Sequence, residues 1–177
     1  MKSQITISSL DSNPDLLMGT IAAAMEESPF FYSEKDTVPS EVNKLIAKND
    51  IGKALLISTE DHLSSAIEKQ LKGKGIEVEW VKGKDCYELS VLLAKRYFPE
   101  ASEFIIINPS YVEDSVNAPM LSLNKKAPIL FTKKDSVPPA VEEYLKERCI
   151  INFHFFGDEN VLSEELADKL HKISETR

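Results

Sequence analysis

Residues 35–39 read KDTVP and residues 134–138 read KDSVP. The first follows the apolar run Phe30-Phe31-Tyr32 and leads into Glu41-Val42-Asn43-Lys44-Leu45; the second follows Ile129-Leu130-Phe131 and leads into Ala140-Val141-Glu142-Glu143-Tyr144. The same punctuation after the same kind of apolar run, 99 positions apart, points to an internal repeat, which sets the fold before any local reading does. Comparing residues 3–71 with 102–170 without a gap gives 14 identities in 69 positions. They include Ile7/Ile106, Asp15/Asp114, Pro29/Pro128, Lys35/Lys134, Asp36/Asp135, Val42/Val141, Glu60/Glu159, Ser64/Ser163 and Leu71/Leu170. Composition alone gives about 4.

Within each copy, periodicity predicts an alternation of strand and helix. Residues 4–8 and 103–107 are short β-branched apolar runs, as strands covered on both faces require, and helical stretches follow over 14–27 and 111–126. Strands at 29–32 and 128–132 precede helices at 39–48 and 138–148, with Thr37 and Ser136 as expected N-caps and the prolines in the first turn. Strands at 53–58 and 151–156 precede helices starting at 65 and 164, capped by Ser64 and Ser163. Between the copies lie one more strand, 77–81, and one helix, 86–97. Strict alternation implies parallel strands joined by right-handed crossovers, a Rossmann-like, doubly wound α/β architecture with helices on both faces, built from an internal duplication. The expected division is a first, incomplete repeat over 1–75 and a second over 76–177, the two sharing one compact domain as the alternative.

Bulk properties narrow the function. The 177 residues are 42% hydrophobic and 28% charged, as in an ordinary globular protein, and the formal net charge is −8. An acidic chain without a basic stripe argues against nucleic-acid backbone binding, so no nucleic acid is expected as partner. No run approaches the roughly 20 apolar residues that span a bilayer, and the N-terminus lacks the apolar core of a signal peptide. Membrane insertion is therefore not expected, and the sequence as written predicts a cytoplasmic protein. Cys86 and Cys149 fall in no CxxC spacing and read as free thiols.

Catalytic patterns are missing: there is no GxGxxG, GxxxxGK[ST], GxSxG or HExxH. His62, His154 and His171 have no carboxylate at metal-ligand spacing, and His154 reads as a structural strand residue. No catalytic residue, cofactor or metal is expected. In parallel sheets ligands gather beyond the carboxyl ends of the strands. The candidate ligand-binding residues there are Asp15, Lys35, Asp36, Asn108, Asp114, Lys134, Asp135, Gly157 and Asp158. Asp15 and Asp114 have a plainer role at helix starts, and Lys35-Asp36 and Lys134-Asp135 as turn chemistry before a helix.

Residues 78–170 carry a further pattern. Gly83, Asp85 and Tyr87 form an opening, Asp114 a helix start, Pro128, Ile129, Leu130 and Thr132 an apolar strand, and Gly157 with Ser163 a strand end before a capped helix. Pro14-Asp15-Leu16-Leu17 and Pro29 echo it in the first copy. The pattern resembles the type 2 cell wall-binding repeat of bacterial surface proteins, here as one full and one incomplete repeat. It departs from that repeat at Cys86 (Arg in the family), Leu89 (Thr), Ser115-Val116 (Ala-Leu) and Asp158 (Gly). The resemblance implies secreted proteins with three α/β units about a pseudo-threefold axis that hold anionic wall polymers non-covalently. It thus implies a non-enzymatic binding and assembly module, a cell-envelope polysaccharide or polymer as partner, and the cell surface as location. An incomplete repeat also leaves an edge uncovered, so a homo-oligomer is expected. The competing reading is a small enzyme or sensor using the strand-end crevice, with Asp114, Asp135 and Asp158 around a small polar molecule or divalent ion.

Overall fold

The computed structural model describes residues 3–48 and 50–176, with the side chain of Asp114 outside the described set. Strands are β1 (Ser3–Ser9), β2 (Phe30–Ser33), β3 (Ile51–Thr59), β4 (Glu77–Gly83), β5 (Glu103–Ile107), β6 (Ile129–Phe131) and β7 (Asn152–Phe156). Helices are α1 (Asn13–Met25), α2 (Ser40–Ala47), α3 (Ser65–Gly73), α4 (Cys86–Tyr97), α5 (Ala118–Lys125), α6 (Pro139–Lys146) and α7 (Glu164–Glu175), with a 3-10 helix over Pro109–Ser115. The strands form two all-parallel sheets, β2-β1-β3-β4 and β6-β5-β7. The chain divides into two units, Met1–Asp85 and Cys86–Arg177.

The central strands explain why the sheets are parallel and covered. Ile5 and Ile7 of β1, Ala54 to Ile57 of β3 and Phe104 to Ile107 of β5 are all buried. Such continuous apolar runs lose their driving force unless helices cover both faces. In the first unit Ile5, Ile7 and Leu56 pack with Val42, Leu63, Ile67 and Leu71 of the helices and their approaches. In the second, Phe104, Ile106 and Leu130 pack with Val141, Tyr144, Leu145, Leu166 and Leu170.

The two sheets share register at the offset seen in the sequence. Ile7 stands opposite Phe31 and Leu56, and Ile106 stands opposite Leu130 and Phe155, each partner 99 residues on. Backbone bonds repeat as well. Thr6 N donates to Pro29 O and Ile105 N to Pro128 O, both at 2.9 Å. Among the described residues, the non-glycine residues in the left-handed region are Glu27 (φ 50°) and Lys126 (φ 53°), again 99 apart, each turning the chain out of a helix toward the next strand.

Three local expectations need correction. Thr37 and Ser136 do not cap α2 and α6. Pro39 and Pro138 hold the N-cap positions in extended conformation, and their carbonyls accept from Asn43 N and Glu142 N at 3.0 and 2.9 Å. Thr37 and Ser136 stand two residues upstream of the cap, and a capping oxygen must sit at the cap itself to meet the N–H groups of the first turn. The helix expected over 111–126 is broken. Its first part is a 3-10 helix ending at Ser115, within which Tyr111 leaves helical geometry (φ −128°, ψ 29°), and α5 begins afresh at Ala118 with Pro119 in its first turn, where a missing N–H costs least. Finally, the strand that the sequence reading groups with the second repeat bonds to β3 of the first sheet, from Lys53↔Glu77 to Thr59↔Gly83. It satisfies an edge of β3 that would otherwise be open.

Gly19 lets α1 lie directly on β1: a Cβ there would stand 2.7 Å from Ser8 Cβ and 2.8 Å from the Phe30 ring. Gly19→Ala is expected to lower stability by about 1–3 kcal/mol, as overpacking does. Lys126→Gly relieves a left-handed residue and is expected to raise it by about 0.5–1 kcal/mol. Urea unfolding of both variants checks the pair; a neutral Gly19→Ala would show that the helix is free to lift.

Candidate functional site

The strand ends of the first unit gather polar side chains into the core. Ser8, Ser9, Asp15, Ser33, Ser58 and Thr59 are all buried. Ser12 caps α1 by accepting from Asp15 N at 3.3 Å, which aims the Asp15 side chain back over the sheet. Its Oδ2 accepts from Thr59 N at 3.1 Å and meets His62 Nδ1 at 2.9 Å. Thr59 Oγ1 lies 2.7 Å from the same ring nitrogen. With Nδ1 fixed inward, the ring of His62, whose side chain is 36% exposed, turns Nε2 away from the carboxylate. Asp15 Oδ1 is buried without a protein partner. A buried, bonded carboxylate and a half-exposed imidazole thus form an oriented pair.

Asp15 is therefore more than a dipole partner, and His62 is the residue that sequence reasoning missed. The two are 47 positions apart and meet only because α1 and the β3–α3 turn converge on one sheet edge. The signal available was the offset: His62 stands opposite Val161 in the second copy, where no such pair can form.

The corresponding strand ends of the second unit are simpler. Asn108, 6% exposed, accepts from Ser110 N at 3.1 Å and donates through Nδ2 to Val161 O at 2.9 Å, tying the end of β5 to the turn after β7. Gly157 takes φ 125°, and a Cβ there would meet the Val161 side chain at 2.7 Å, so its role is to let that turn close. Asp158 Oδ1 accepts from Asn160 N at 2.9 Å within the turn. The side chain of Asp114 lies outside the described residues. Among the described residues no three His, Cys, Asp or Glu gather as metal ligands.

The backbones of Lys35-Asp36 and Lys134-Asp135 make matching bonds in the two units. Lys35 O accepts from Ser64 N at 2.9 Å and Lys134 O from Ser163 N at 3.0 Å. Asp36 O accepts from Gln70 Nε2 at 2.7 Å and Asp135 O from Lys169 Nζ at 2.9 Å. Each turn is thereby tied to the last helix of its unit. His154 donates through Nε2 to Glu103 Oε2 at 2.6 Å across β5 and β7, and this bond, with Lys125 nearby, holds the Glu103 carboxyl below its usual range.

Asp15→Ala strands Thr59 N in the interior and is expected to cost about 2–4 kcal/mol. Asp36→Ala, which keeps its backbone acceptor, should stay within about 0.5 kcal/mol of the parent. Chemical denaturation of the two variants reads both; equal losses would show that the buried carboxylate is not an anchor.

Residues 81–167 match the family described as Cell wall binding domain 2 (CWB2). The chain is 28% identical over 149 residues to the amidase enhancer of Bacillus subtilis, covering 84% of this chain and 20% of that protein. It is 27% identical over 96 residues to the N-acetylmuramoyl-L-alanine amidase LytC of the same organism, covering 54% of this chain and 19% of that one. The chain thus spans about a fifth of the length of these curated relatives. Among solved structures, Cwp6 from Clostridium difficile superposes with a TM-score of 0.85 at 22% identity, over 97% of this chain and 28% of that one. Cwp8 from the same organism gives 0.81 at 24%, over all of this chain and 31% of that one. Through residues 81–167, which run from the end of β4 into α7, the chain resembles the cell wall binding domain 2 family.

Proposed function

We propose that the chain is a non-enzymatic binding and assembly module that holds a cell-envelope polysaccharide or related polymer at the cell surface. The observation that carries the reading is the family match over 81–167. The fold likeness to Cwp6 over 97% of the chain supports it, because it extends the likeness beyond the matched segment. The relatives named as an amidase and an amidase enhancer are several times longer, so catalysis in them need not reside in the stretch that this chain resembles. The charge of −8 sets a condition on the reading. A polyanion is repelled by the summed field, so binding requires a local cationic surface and weakens as salt screens it. Isolated Bacillus cell walls are the direct probe. The protein should co-sediment with them at low ionic strength and be released by salt; protein that stays in the supernatant with walls in excess would refute the reading.

The assembly half of the proposal rests on an asymmetry between the sheets. β3 is flanked by β1 and β4, whereas its counterpart β7 pairs only with β5 among the described residues. Beside that edge Ile151 is 76% exposed and Phe155 36%. An open strand edge with apolar side chains is a pairing template, and two such edges meeting about a twofold axis pair antiparallel. Sedimentation velocity is expected to show self-association at micromolar concentration that Ile151→Lys weakens. A strict monomer in the parent protein would remove this half of the proposal and leave the polymer-binding half standing.

A further inference from the structure

The second unit carries a cleft on its helical side, between α6 and α7, of about 500 Å³. That volume lies within the range of about 300–1,000 Å³ usual for small-molecule sites. It is lined by Lys146, Lys169 and Lys172, with the single carboxylate of Glu142 among them, and Val137 and Ile173 supply apolar surface. Ser136 and Thr176 add hydroxyls at its rim.

The internal repeat gives this cleft a built-in reference. Counting back 99 positions, Lys146, Lys169 and Lys172 correspond to Ala47, Gln70 and Gly73. All three cations of the cleft are therefore particular to the second unit. The gap between α2 and α3 in the first unit is also bridged, since Lys74 donates to Asn43 across it. Their counterparts are Ile173 and Glu142, which cannot form that bond. In the second unit the ion pairs run along each helix instead. Lys146 pairs with Glu142 and Lys169 with Glu165, both four residues apart on their own helix, at 2.5 and 2.6 Å. Lys169 also donates to Asp135 O, which holds its ammonium over the turn at the mouth.

We infer that this cleft binds the charged repeat unit of an anionic glycan, a phosphate or carboxylate carried on a sugar or polyol chain. Three ammonium groups meet the anion. The apolar surface of Val137 and Ile173 faces the hydrocarbon side of the sugar or polyol, and the hydroxyls meet its polar rim. The lysines are partly neutralised at rest, but exposed pairs between neighbours on one helix are weak, so an incoming anion displaces the glutamates at little cost. The inference deepens the proposed function and rests on it: it locates the cationic surface that an acidic chain needs in order to hold a polyanion.

The test combines the variant Lys146→Gln/Lys169→Gln/Lys172→Gln with two probes. With isolated cell walls, the variant should fold with an unchanged melting profile yet bind roughly tenfold more weakly, and lose most of the salt dependence. Binding equal to the parent protein would overturn the cleft while leaving the proposed function intact. The second probe is inorganic polyphosphate, followed by amide chemical shifts of the parent protein. Shifts should concentrate at residues 136–146 and 169–176. Shifts centred on the first unit, or none at all, would overturn the cleft whatever the walls do. If neither the parent nor the variant binds walls, it is the reading as a wall-binding module that fails.

Discussion

A strand buried on both faces and bonded along both edges has one way to be satisfied, and the rest of this molecule follows from it. β1 lies between β2 and β3, and β5 between β6 and β7, all in parallel. Parallel neighbours need a crossover between them, and the crossover helix is what covers the apolar faces. Ile5, Ile7, Phe104 and Ile106, 1% exposed or less, are therefore both the reason for the helices and the surface on which they land.

The turn that repeats in the sequence stabilises this arrangement through its backbone. In KDTVP and KDSVP the lysine carbonyl accepts from the N-cap serine of the last helix in each unit, and the aspartate carbonyl accepts from a side chain one and a half turns further along that helix. Val38 and Val137 then turn inward, and the proline starts the next helix. In both units the backbone of this charged motif joins a strand, a turn and two helices, while the side chain that reaches it differs, Gln70 in one and Lys169 in the other.

That division between invariant backbone and variable side chains accounts for how the units differ. The first unit invests polarity at the strand ends, where Asp15, Thr59 and His62 close a buried network. The second fills the same place with Asn108, Gly157 and a turn-capping Asp158, and carries its cationic surface on the helical side instead. A chain with eight excess negative charges presents a positive surface only where lysines are brought together by packing, and the approach of α6 to α7 does that for Lys146, Lys169 and Lys172.

The alternation of strand and helix, the parallel sheets and the positions of Ser64 and Ser163 as caps were legible in the sequence, because hydrophobic period and capping chemistry are local. The 99-residue offset also located corresponding positions that prove to share register, since a side-chain period of two fixes which face each residue takes. Three things were decided by tertiary structure alone. β4 joined the sheet that preceded it, because hydrogen-bond demand at the edge of β3 does not show in the composition of either strand. The helix expected over 111–126 divided into a 3-10 helix ending at Ser115 and α5 beginning at Ala118. Asp15 met His62, and the lysines of α6 met those of α7, across gaps of tens of residues. Such encounters depend on how helices lie on the sheet, and that geometry is set by packing rather than by neighbours along the chain.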